Sequence, residues 1–157
     1  VHGANHPDTA CDFNNLAALE REVGNYKISK EYFDKALKVR LDKLGPDHRL
    51  TAKNYMGMAE LNRLEKRYPQ AFDLCVKALD IQRRTLPEDH PERAECLDIM
   101  GSIFRDQGEK EKAVGYYKQA LAIRSKLLQA GHPDLLESEE HLQSTLSMAQ
   151  PDARNHQ

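Results

Sequence analysis

The sequence contains no tryptophan, and aromatic residues make up only 6 % of its 157 positions. Charged residues reach 31 %. A thick β core needs large aromatic and β-branched side chains, so this composition suits thin helical layers with wet surfaces. Cys11, Cys75 and Cys96 form an odd set with no C-x-x-C pair, which argues against a disulfide framework and against a zinc site. They read as reduced thiols, and the expected location is cytoplasmic. No apolar run approaches the roughly 18–20 residues that a membrane helix needs, and no basic-then-apolar leader is present. Neither sign of charge dominates: 23 Lys and Arg face 25 Asp and Glu, for a net charge of -2. That is no general footprint for nucleic acid. A Gly-rich phosphate loop, H-E-x-x-H and G-x-S-x-G are all missing, so the reading is of a protein that is not an enzyme, with no cofactor and no metal. The chain also lacks an initiator methionine, as expected of an excised piece or a processed product.

What the sequence has is a repeat. N-H-P-D-T-A at His6, D-H-R-L-T-A at His48, D-H-P-E-R-A at His90 and G-H-P-D-L-L at His132 recur at a 42-residue step without a gap. Ala10, Ala52 and Ala94 keep that step, as do the pairs Ala36-Leu37, Ala78-Leu79 and Ala120-Leu121. Periods of this length mean stacked supersecondary units. Within each unit, apolar residues at three-and-four spacing predict a first helix. Pro7, Pro91 and Pro133 fit its first turn, and Asp8, Glu92 and Asp134 place negative charge at its positive end. Gly24 and Gly108 mark left-handed helix ends; Lys66 stands where unit two should have glycine. Second helices are expected from about Tyr26, Tyr68 and Lys110 to Leu44, Leu86 and Leu128. The small columns Ser29/Ala71/Ala113 and Ala36/Ala78/Ala120 would allow close helix approach. The four histidines read as helix-start or linker-packing residues.

These residues resemble the tetratricopeptide repeat, in the 42-residue variety of kinesin light chains and related scaffolds. The resemblance rests on N-N-L-A at 14–17, G-x-Y at 24–26, A-L at 36–37 and the D-H-P linker. Glu20 and Asn62 depart from the family's large apolar residue at their column. The resemblance implies an all-α, right-handed superhelix of three helix-turn-helix repeats (6–47, 48–89 and 90–131). It also implies a concave face, lined by first helices, that binds peptides or partner segments. Residues 1–5 read as a linker from a preceding repeat, so further repeats are expected before Val1. In the fourth unit Glu139, Gln143 and Thr145 replace the residues expected to face a second helix. Residues 132–149 are therefore expected to form a capping helix, followed by a flexible tail at 150–157.

The function expected is that of a protein-interaction scaffold that binds a partner segment on the concave face. The site residues are Asn14, Asn15, Arg21, Lys53, Met56, Glu60, Arg63, Asp98, Ser102 and Arg105. Asn14 and Asn15 match the family's N-N pair, whose amides can hold a peptide backbone. Arg21, Arg63 and Arg105 keep the 42-residue step. With helices ~10 Å apart they would form a ladder that pairs with a partner's carboxylates. The bland reading is that Glu60, Glu22 and Asp106 pair with these arginines locally. Glu95, Asp98, Glu137 and Glu140 make the other end of the groove acidic. Two alternatives differ in kind. One is a spacer or self-association module, with the chain a monomer or a weak oligomer. The other is RNA binding by the basic residues of the second helices (Lys35, Lys38, Arg40, Lys77, Arg83, Arg84, Lys118, Arg124, Lys126). Those are mixed with acids and read better as a solvated convex face. A Cys11–His6 nucleophile pair has nothing to orient it.

Overall fold

The computed structural model describes residues 7–148. The expected linker at 1–5, His6 and the tail at 150–157 lie outside them. Among the described residues there are seven α-helices and no strand: α1 Pro7–Glu22, α2 Tyr26–Lys43, α3 Arg49–Leu64, α4 Tyr68–Thr85, α5 Pro91–Asp106, α6 Lys110–Leu127 and α7 Pro133–Ser147. The 42-residue step of the sequence is therefore the step of the helix pairs. The chain divides into two compact units, Val1–Leu86 with α1 to α4 and Pro87–Gln157 with α5 to α7.

The linker histidines cap helices. The Nδ1 atoms of His48, His90 and His132 accept from the backbone N–H groups of Leu50, Glu92 and Asp134 at 3.1, 3.2 and 3.3 Å. Each satisfies one of the orphan donors of a first helical turn, a task usually given to Ser, Thr, Asp or Asn. Pro91 and Pro133 follow in the first turn, where a missing N–H costs nothing. The tight turns between paired helices need one left-handed residue. Gly24 and Gly108 supply it at φ +84° and +80°. Lys66 takes φ 60° at the same column, so the turn is kept there against the preference of a side-chain-bearing residue.

Packing follows the small columns. Ser29, Ala71 and Ala113 are fully buried, and so are Ala36, Ala78 and Ala120 and the first-helix Ala10, Ala52 and Ala94. Ser29 lies so close to α1 that its Oγ donates to the Ala17 carbonyl at 2.7 Å. In the second unit Gly101 admits the ring of Tyr117: a Cβ there would sit 2.7 Å from Tyr117 Cε1.

One column faces differently from expectation. Leu19, Leu61 and Ile103 stand at the column of Thr145, which the repeat predicts to face the second helix of the same pair across their seam. Instead Leu61 packs with Ala17 and Phe33, against the helix pair that precedes its own. Leu19 stands 58 % exposed at the same column. Thr145, also of this column, is buried on α7, which packs on α6. Of the three polar residues expected to break that seam, only Glu139 and Gln143 are exposed. Leu135 and Leu142 of α7 are buried, the latter with Ala113 and Tyr117 of α6.

Candidate partner-binding surface

In the first unit the first-helix residues divide into presented and committed groups. Asn15 and Lys53 are exposed, and Arg21 is half-buried. Neither Arg21 nor Lys53 forms an ion pair among the described residues. Arg63 is different, because Glu60 one turn earlier holds it at 3.1 Å and both side chains are largely covered. The local pairing weighed against the ladder is thus present at Arg63. It is present at Arg105 as well, with Asp106 at 3.5 Å. Glu22 does not pair with Arg21.

Three expected contact residues are engaged within the fold. Met56 is only 6 % exposed and its sulfur accepts from Gln82 Nε2 at 3.2 Å. Ser102 is 8 % exposed and shares a 3.0 Å hydrogen bond with Tyr117 Oη. Asp98 is spent on Arg124. Gly57, next to Met56, approaches the ring of Phe33 so closely that a Cβ would sit 2.5 Å from it. The physical reason is shared. The second helix of the same pair engages Met56, Ser102 and Asp98, and Phe33 of the preceding second helix covers Gly57, so less of a first helix is free than its sequence suggests.

The residues that hold this arrangement come from a column that charge alone hid. Arg40 of α2, at 2 % exposure, lies beneath α1 and α3. Its Nη1 donates to Leu50 O at 2.8 Å and to the Oδ1 atoms of Asn14 and Asn54, each at 3.2 Å. Its Nη2 meets Cys11 Sγ at 4.0 Å. The residues 42 and 84 positions on are Gln82 and Arg124. Gln82 meets Met56, and Arg124 meets both the Asp98 carboxylate and Ser138 Oγ. A second-helix polar residue thus grips residue 14, 56 or 98 of its own first helix. In two of the three cases it also grips the next first helix. Arg40 and Arg124, expected on a solvated outer face, are turned inward. The 42-residue step carried the signal, but it was masked because the column alternates Arg, Gln and Arg.

Burial shifts the titration of these groups. It pulls the Arg40 guanidinium below its ordinary value, opposed by the Cys11 sulfur. It pushes the Asp98 carboxyl up, against the pull of Arg124. Tyr117 is pushed up by burial, opposed by its bond to Ser102. Other basic residues of the second helices are locally engaged. Lys35 lies over Phe13 and Tyr32 and Lys77 over Tyr55, while Arg84 pairs with Asp47 and Asp80. Among the described residues no group of three or more His, Cys, Asp or Glu could hold a metal ion, and no helix is long and apolar enough to cross a membrane.

The family model described as the tetratricopeptide repeat matches residues 8–64 and 50–126. No curated protein matches the chain. Among solved structures, the nearly identical TPR-like repeats named for a kinesin light chain of Podosopora anserina superpose with a TM-score of 0.80 at 22 % identity, over 89 % of this chain and 66 % of that one. BtubC (BKLC) of P. vanneervenii gives 0.80 at 20 % identity, over 92 % of this chain and 58 % of that one. This chain therefore spans less than two thirds of either. The N-terminal domain of stress-induced protein-1 from C. elegans gives 0.58 at 18 % identity, over 91 % and 99 %. These likenesses are of fold. Tetratricopeptide repeats are in general protein-interaction modules of a non-catalytic, scaffold type. On the family match across residues 8–126 and the paired helices that carry it, the chain belongs to the tetratricopeptide repeat family.

Proposed function

We propose that the chain is an adaptor module that binds an extended, carboxylate-bearing segment of a partner protein on the first-helix face of α1 and α3. Asn14 and Asn15 would hold the partner's backbone, and Arg21, Lys53 and Arg63 its acidic side chains. One observation carries this reading: Arg21 and Lys53 form no ion pair among the described residues, beside exposed Asn15. Solvent-facing like charges on neighbouring helices gain nothing from each other, and a partner's carboxylates would satisfy them. Glu60 belongs to this proposal as a secondary contact, and Arg105 is proposed to play the same part on the first helix of its own unit. Residues 132–149 are proposed as a cap for the array, with the exposed Glu139 and Gln143 as its polar outer face.

The test compares proteins retained from lysate by the wild-type chain and by the Arg21→Glu/Arg63→Glu/Arg105→Glu variant. The proposal expects the wild-type bands to disappear in a variant that keeps its helical circular dichroism. Identical capture by the two would contradict it.

A second reading is self-association. Leu16, Leu19, Val23 and Ile28 of α1 and α2 are 41 to 71 % exposed, a grouping that marks contact surfaces. Light scattering at two concentrations separates the readings: growth in mass that Leu19→Glu abolishes favours association, and constant monomer mass opposes it.

A further inference from the structure

The three residues of the inward column are not equivalent in charge. Gln82 is neutral. Arg124 has a carboxylate on its Nη1, from Asp98, with Ser138 as a second partner. Arg40 has none. Its partners among the described residues are two amide oxygens, one backbone carbonyl and one sulfur, and its Nε is buried without a hydrogen bond. Asp8 and Asp12 share α1 with Asn14, yet neither is a partner of Arg40. A guanidinium taken out of water normally keeps a carboxylate beside it, and this one has amide and carbonyl oxygens and the Cys11 sulfur in its place.

The dipoles are also oriented. Asn54 turns its Oδ1 to Arg40 and gives its Nδ2 to the Phe33 carbonyl at 3.1 Å, so both ends of that amide are used. Asn14 turns its Oδ1 to the same guanidinium. Its Nδ2 donor has no partner among the described residues, and the side chain is partly exposed. A hydrogen bond to a cation polarises an amide and strengthens its remaining donor. A charge within the protein acts through a lower effective dielectric than one in water. Exposed Lys53, one repeat on from Cys11, adds the same sign.

We infer that the buried guanidinium of Arg40, which no carboxylate neutralises, makes the surface over Cys11, Asn14 and Asn15 a subsite for a side-chain carboxylate of an acidic peptide. The carboxylate accepts from Asn14 Nδ2 and supplies the countercharge that Asp98 supplies to Arg124. Arg40 is the positioning residue: it fixes the amide and sets the potential without touching the ligand. This rests on the reading that the α1–α3 face binds the partner.

The probe is a fluorescein-labelled octaglutamate peptide, with octaglutamine as its neutral counterpart, read by fluorescence anisotropy on the full chain. Asn14→Asp copies the Asp98–Arg124 arrangement into the first unit. It is expected to keep or raise the melting temperature while weakening octaglutamate binding about tenfold or more, since each lost charge-assisted contact is of that order. A purely structural role for Arg40 would leave affinity unmoved in so stable a variant. Arg40→Gln, which places here the residue that the next unit already carries, is expected to weaken binding in the same direction. Asp98→Asn, which strips Arg124 of its carboxylate, is expected to strengthen it. Unchanged octaglutamate affinity in folded Asn14→Asp, or a wild type that does not prefer octaglutamate to octaglutamine, overturns the assignment. Loss in Arg63→Glu but not in Asn14→Asp would keep the first-helix face as the binding surface and remove Arg40 from it. The reverse pattern would remove the arginine ladder and keep Arg40.

Discussion

The two compact units use one repeat to opposite electrostatic ends. In the first, Arg40 is held by Asn14 and Asn54, and its charge is left over. In the second, Arg124 is held by Asp98 and Ser138, and its charge is cancelled. The backbone plan is the same, with a second-helix side chain reaching under a first helix, and a single change from Asn to Asp decides whether the guanidinium has a carboxylate partner. The lesson is that repeat columns fix where a side chain goes, while the partner residue in the facing column fixes what it does there.

The comparison can be broken most severely at Asp98. Asp98→Ala leaves Arg124 with one neutral partner and is expected to cost about 2–3 kcal/mol, near the lower end for a broken buried pair because both side chains keep some solvent contact. Asn14→Ala leaves Arg40 its other acceptors and is expected to cost only about 1 kcal/mol. Chemical denaturation of the two variants measures the difference, and equal losses would contradict the contrast between Arg40 and Arg124.

Glycine offers the next test. Gly101→Ala must displace the buried ring of Tyr117, a strain of about 1–3 kcal/mol. Gly115→Ala, in the same unit and with open space around it, should gain up to about 1 kcal/mol from helix propensity. Opposite shifts in melting temperature are expected. Lys66→Gly relieves the one left-handed position among the described residues that carries a side chain and should stabilise by about 0.5–1 kcal/mol, since part of the relief is offset by a freer unfolded chain.

The smallest effect is a titration. Asp98 has its carboxyl raised, by burial first and against Arg124, so the fold binds its proton more tightly than the unfolded chain does. The sign follows: this group favours the fold below the unfolded value of about 3.9 and loses that contribution as pH rises through the folded value. The carboxyl carbon shift of Asp98 should therefore have its midpoint above the ordinary aspartate value. A midpoint at or below it would show that Arg124 outweighs burial.

Much of the fold was legible because helix repeats write the same instruction several times. The histidine starts, the left-handed turn residues and the small columns at Ser29/Ala71/Ala113 each recur at one step, and all lie where the spacing predicts. The seam assignment of Leu61 was less legible. Periodicity gives the buried stripe of a helix but not which of two flanking helices covers each edge of it. The site was read only in part for the same reason. Met56 and Ser102 turn toward the second helix of their own pair, and Gly57 is covered by Phe33 of the preceding one. Arg40 and Arg124 looked like solvent residues because arginine usually is one, and only the facing Asn14 and Asp98 reveal otherwise.

The most direct measurement is a titration of the isotope-labelled chain with octaglutamate, followed through side-chain amide and guanidinium signals. If the uncancelled charge of Arg40 governs recognition, the Asn14 and Asn15 amides and the Arg40 guanidinium shift together and saturate, while Ser102 and Arg124 stay in place. Shifts confined to α5, α6 and α7, with the Asn14 and Arg40 signals unmoved, would contradict it.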